Sequence, residues 1–207
     1  MYTIFLFPGH KCKGDVNNWS LYFLNRLKSI GEVILVNYPW YEKAASNENV
    51  THKLNINTFC TEIYNSTNSN KIILIGHSMG SQFVYWLNVK FDKRVVLSIL
   101  IDGSLWGPFW WKGKDYSNVE LTDDPIKNIF IQISSYKKYQ TINIKSPVIS
   151  LWDYGGNPDR DQIRIKSEEY WEKTLDNYHS VKFENTKHYM HLNKHVADFI
   201  CDRLKFE

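Results

Sequence analysis

Five consecutive residues, Gly76-His77-Ser78-Met79-Gly80, carry the sharpest chemical signal in the chain. A G-x-S-x-G stretch lets a strand turn abruptly into a helix, with the central serine strained so that its hydroxyl stands clear of the backbone. The flanking glycines allow strand and helix to approach without a Cβ between them. A serine presented in this way is a nucleophile once a neighbouring base takes its proton. That base must be one of the seven histidines, and a neutral imidazole in the role needs its Nδ1–H fixed by a carboxylate. The bare pattern also fits a tight glycine turn with a bystander serine. Its setting favours chemistry, because it follows Ile72-Ile-Leu-Ile75 and precedes the helix-like Gln82-Phe-Val-Tyr-Trp-Leu87.

Elements that could position such a group recur along the chain. Apolar runs at Thr3–Phe7, Glu32–Asn37, Lys71–Ile75, Arg94–Ile101, Pro147–Trp152 and Val181–Glu184 read as strands. Helical patterns stand near Val16–Ile30, Ile56–Ser66, Ser81–Lys90, Arg164–Asp176 and His195–Leu204. Apolar runs without alternation suit strands buried on both faces of a parallel sheet. Strand–helix alternation then predicts an α/β fold: a doubly wound, mostly parallel sheet of about six strands in one domain over residues 1–207. Between Asp102 and Ser146 the rhythm breaks for about forty residues, far more than one crossover needs, which predicts a short lid insertion at about 103–146.

Gly-His-Ser-Met-Gly after an apolar strand resembles the α/β-hydrolase superfamily. That resemblance implies that the loop after the first conserved strand, here Phe7-Pro8-Gly9-His10-Lys11, helps to bind a tetrahedral oxyanion. Two converging backbone N–H groups are needed; the resemblance implies those of Met79 and His10, with Lys11 as the near alternative to His10. It also implies His188 as the base, because His188 lies directly after the last strand and before the final helix, completing the order Ser…acid…His. His191 resembles a recurrent structural position, and His77 points elsewhere. His52, His179 and His195 read as solvated.

The acid is open at this stage. The superfamily pattern places it in the loop after the strand at Val148–Trp152, where Asp153, Asp159 and Asp161 all stand. The expectation favours Asp159, which precedes His188 by room for one helix and one strand, and then Asp153. Asp102 is a further alternative, since some superfamily members carry the acid after the earlier strand.

The insertion opens with Trp106, Phe109, Trp110 and Trp111. These four are expected either to wall an acyl pocket or to glue the lid to the sheet. Phe7-Pro-Gly9, Asn37-Tyr-Pro39, Tyr170-Trp171 and His188 together add a weaker resemblance to small, type II-like thioesterases, which release acyl groups from carrier proteins. The expected activity is a serine hydrolase acting on a carboxylic ester or thioester through an acyl-enzyme. Its expected partner is a small acyl substrate, including a carrier-bound one. Transfer of the acyl group to another acceptor on the same residues, or a non-catalytic binding protein on the same fold, are the alternatives.

Composition narrows the rest. Hydrophobic residues make up 43% and charged residues 23%, ordinary values that argue against extended disorder. A net charge of +3, carried by scattered Lys and Arg, forms no basic stripe for nucleic acid. Cys12, Cys60 and Cys201 have no metal-ligand spacing and read as free thiols of a reducing compartment. No metal or organic cofactor is expected. Without a signal-like start or a run long enough to span a bilayer, a cytoplasmic protein is the expectation.

Overall fold

The computed structural model describes residues 1–9, 19–38, 56–103, 144–156 and 158–205. Six strands appear among them: β1 (Tyr2–Phe7), β2 (Gly31–Leu35), β3 (Ile72–His77), β4 (Val95–Ile101), β5 (Val148–Tyr154) and β6 (Tyr178–Glu184). The helices are α1 (Leu21–Lys28), α2 (Ile56–Asn65), α3 (Gly80–Phe91), α4 (Pro158–Thr174) and α5 (Lys194–Leu204). All six strands pair in parallel, in the order β2-β1-β3-β4-β5-β6. The expected doubly wound sheet is therefore present, and it is wholly parallel.

Side chains alternate along each strand, and here both sets are apolar. Phe5, Phe7, Ile72, Leu74 and Leu100 join one buried layer with Phe59 of α2, Phe83 and Leu87 of α3, and Trp171 of α4. Ile4, Leu6, Ile73, Ile75, Ile99 and Ile101 join the other with Phe23 and Leu27 of α1 and Ile200 and Leu204 of α5. Trp171 thus belongs to the core. Sheet faces covered on both sides explain why the strands read as unbroken apolar runs.

Helix ends follow local rules. Ser20 caps α1, its Oγ accepting from Phe23 N–H at 3.1 Å, and Asn193 caps α5, accepting from His195 N–H at 2.9 Å. Helix α4 starts at Pro158, well before the expected Arg164, with Asp159 and Asp161 in its first turn. Proline at the first helical position and carboxylates beside the positive helix end both favour that start.

Strand order reverses between β1 and β3, so their carboxyl ends open a crevice, where doubly wound sheets bind ligands. Helix α3 is pressed against that edge: a Cβ on Gly80 would fall on the Phe7 carbonyl oxygen. Gly80→Ala is therefore expected to destabilise the fold by about 3 kcal/mol, the upper end of ordinary overpacking costs. Urea unfolding measures this, and an unchanged midpoint would contradict the close packing of α3 on β1.

Candidate active site at the carboxyl edge of the sheet

Ser78 sits on the turn between β3 and α3 with φ of 51°, a left-handed value uncommon for a residue with a side chain. The surroundings over-determine it, as such strain requires. Its N–H donates to the Ile101 carbonyl at 2.9 Å, and its own carbonyl accepts from Ser81 N–H at 3.1 Å. Met79 follows, buried, at the entrance to α3.

The next strand supplies the carboxylate. Asp102 comes directly after β4, with φ of 41°, and its N–H donates to the Leu151 carbonyl at 2.7 Å. Its Oδ2 lies 2.5 Å from His188 Nδ1. The Asp102 side chain is 1% exposed and the His188 side chain 43%, so the imidazole is the carboxylate's partner while another part of its ring faces outward. A carboxylate can only accept from neutral histidine, so the proton sits on Nδ1 and Nε2 is left as an acceptor.

The structure places the four candidate carboxylates differently. Asp159 is exposed in the first turn of α4, where it serves the helix end. Asp161 is buried and accepts from Gly155 N–H at 3.0 Å. Asp153 is buried too, but its Oδ1 accepts from Thr186 and Lys187. The carboxylate that meets the imidazole is Asp102.

His77 is 2% exposed, between the sheet edge and the His188 segment. Its Nε2 lies 2.8 Å from the His188 carbonyl oxygen; a carbonyl cannot donate, so Nε2–H does. Its ring packs on those of His191 and His188, with centroids 3.9 and 4.9 Å away. Gly9 closes the other side: a Cβ there would stand 2.7 Å from His77 Nδ1 and 3.1 Å from Ser78 Cβ. The backbone at Gly9 therefore runs directly against Ser78. His10 itself, like Trp106, Phe109, Trp110 and Trp111, lies outside the described residues. His191 is buried against Trp19, whereas His179 and His195 are exposed.

A buried polar chain reaches the backbone beside Asp102. Arg164 of α4 donates from Nη2 to the Gly103 carbonyl at 2.5 Å, one residue beyond Asp102. Its Nε lies 2.9 Å from Glu168 Oε1, and Glu168 accepts from Tyr178 Oη at 2.6 Å and Ser150 Oγ at 3.2 Å. Burial pushes the Glu168 carboxyl up, against the opposing pull of Arg164. Neither Arg164 nor His77 was singled out as part of this support by the sequence. Among the described residues no cluster of His, Cys, Asp and Glu could hold a metal ion.

No protein-family model and no curated protein matches the sequence. Solved structures do match. Tomato methylketone synthase I, in complex with 2-tridecanone, superposes with a TM-score of 0.66 at 11% identity, covering 100% of this chain and 99% of that one. The chain has the α/β-hydrolase fold. MGS-MChE2, an α/β-hydrolase enzyme from a lagoon-sediment metagenome, gives 0.64 at 15% identity over 99% of this chain and 91% of that one. An esterase from a marine microorganism gives 0.58 at 16%, over 99% and 95%. No described helix of this α/β-hydrolase-fold chain is long and apolar enough to cross a membrane.

Burial, ahead of a partly offsetting hydrogen bond to His188, holds His77 down at about 4, against an ordinary 6.5. The unfolded chain therefore binds this proton first. Stability is full above pH 6.5 and is lost as pH falls to about 4, with a total on the order of 3 kcal/mol. Urea midpoints between pH 7 and 4 should fall more steeply in the wild type than in His77→Gln. Parallel profiles would mean that His77 is not buried neutral.

Proposed function

We propose that the chain is a serine hydrolase that cleaves a carboxylic ester or thioester, with Ser78 as nucleophile, His188 as base and Asp102 as its orienting acid. The observation that carries this reading is the bond from His188 Nδ1 to the buried Asp102 carboxylate, one residue beyond the carbonyl that receives Ser78 N–H. That bond selects the tautomer a general base needs. A merely structural histidine has no need of a buried carboxylate beside a strained serine.

In the acylation step Ser78 Oγ attacks the carbonyl carbon while His188 Nε2 takes its proton. The resulting imidazolium is stabilised by Asp102, and passes the proton to the leaving alcohol or thiol as the tetrahedral species collapses. Water, deprotonated by the same Nε2, then releases the acid and frees Ser78. The N–H groups of Met79 and His10 are the proposed oxyanion donors; the run of the Gly9 backbone against Ser78 supports the second. An acyl acceptor other than water would turn the same steps into transfer.

The substrate side of the proposal is an acyl chain of medium length, from a small ester, a thioester or a carrier-bound acyl group. Trp106, Phe109, Trp110 and Trp111 are its proposed contacts, and the tomato enzyme, which holds 2-tridecanone on this fold, gives the idea support. Each buried methylene stabilises by about 0.8 kcal/mol, so two more should raise kcat/KM about tenfold while room remains.

Fluorophosphonate labelling with mapping of the modified residue tests the nucleophile. Ser78→Ala should abolish labelling and ester hydrolysis in a protein that still folds, and labelling at another serine would overturn the assignment. Asp102→Asn should lower kcat on the order of 10⁴-fold, whereas Asp159→Asn should change little. With p-nitrophenyl esters, activity should climb from acetate toward medium chains; preference for acetate over all longer esters would refute the acyl pocket. A parallel series of thioesters separates esterase from thioesterase.

A further inference from the structure

We infer that Asp153 is a positioning residue for His188, clamping the loop that delivers the base without touching the imidazole. The inference rests on the proposed hydrolase reading for its catalytic meaning, and on geometry for everything else.

Strand β6 ends at Glu184, and within three further residues the chain must set His188 over Asp102. It does so through two left-handed residues, Asn185 and Lys187, each with φ of 60°. Such backbone persists only where its surroundings impose it. Asp153, next to last in β5 and paired in register with Phe183, imposes it. Its Oδ1 accepts three hydrogen bonds, from Thr186 N–H at 2.7 Å, Thr186 Oγ1–H at 2.8 Å and Lys187 N–H at 2.9 Å. Asp153 itself is 5% exposed, so water has little access to this acceptor.

His188 is then held from three sides. Asp153 fixes the two residues before it, Asp102 fixes its ring, and His77 donates to its carbonyl. Without Asp153 the part-buried N–H groups of Thr186 and Lys187 lose the acceptor that holds them to β5, and the left-handed loop has no reason to persist. The ring would leave Asp102, and a displacement of about 1 Å at a reacting group costs about 10²-fold in rate.

A positioning role differs from an acid's in its response to asparagine. All three donors converge on one oxygen, and the other, Oδ2, looks toward Gly156, where even a built Cβ would be 3.5 Å away. Asparagine can therefore present its carbonyl to the same donors. Asp153→Ala is expected to lower kcat about 10²-fold with KM nearly unchanged, while Asp153→Asn recovers most of the loss. Thr186→Val, which removes only the hydroxyl donor, should give a smaller fall in kcat.

Two readouts need no activity. Amide exchange at Thr186 and Lys187 should accelerate in Asp153→Ala and not in Asp153→Asn. The downfield NMR signal of His188 Nδ1–H should broaden or vanish in the alanine variant and survive in the asparagine variant. If Asp153→Asn cripples the enzyme as Asp102→Asn does, Asp153 is the acid and the inference falls. It falls equally if Asp153→Ala lowers thermal stability but keeps kcat and the Nδ1–H signal. A wild-type protein that neither labels nor hydrolyses would remove the hydrolase reading, and the exchange and NMR results would still decide whether Asp153 holds His188.

Discussion

The hydrogen bond from Ser78 N–H to the Ile101 carbonyl continues the ladder between β3 and β4 one step beyond the strand ends. The next bond of the same kind, from Asp102 N–H to Leu151, continues the ladder between β4 and β5. Parallel pairing brings every strand out on the same edge, so each step delivers one further residue to it. Ser78 and Asp102 stand just past the ends of β3 and β4, and Asp153 one residue before the end of the neighbouring β5. What surrounds them, from the Gly9 turn to the Arg164 chain, keeps that edge in register.

The edge is rich in polar groups that are deeply buried, and this is costly unless each finds a partner. The pairs sort by charge state. His77 stays neutral and donates to a carbonyl, while Arg164 and Glu168 face each other with Tyr178 and Ser150 satisfying the remaining carboxylate lone pairs. Asp102 is answered by an imidazole, and Asp153 by backbone and hydroxyl donors. Only the His188 ring of this set is substantially exposed.

Much of this architecture was legible in the sequence because burial on both faces leaves a plain mark. The runs at Ile72–Ile75 and Val95–Ile101 admit little but a central strand, and Gly76–Gly80 marks the turn. Which carboxylate meets the His188 imidazole was not legible. Asp102, Asp153, Asp159 and Asp161 all stand near strand ends, and distance along the chain does not say which ends are neighbours; sheet order does. The start of α4 was hidden for another reason. Its inward stripe runs through Asp161, Arg164, Ser167 and Glu168 before reaching Trp171, so the helical period is there but carried by polar residues. The aromatic residues 106–111 lie outside the described residues, and their part is carried by composition alone.

The bonds that hold His188 also have a history in time. Its ring partner is 86 residues away in sequence and its carbonyl partner 111, and the Asp153 clamp reaches across 33. Contacts so distant along the chain close only after much of the loop entropy between them has been lost, which makes them slow relative to local structure. The apolar layers close over comparable distances, since α1 packs with α5 and β1 pairs with β3. Helices can form locally, but the sheet and the imidazole site both wait on these distant contacts. Reactivity at this edge would then register completion of the long-range fold, after helical signal has begun to appear.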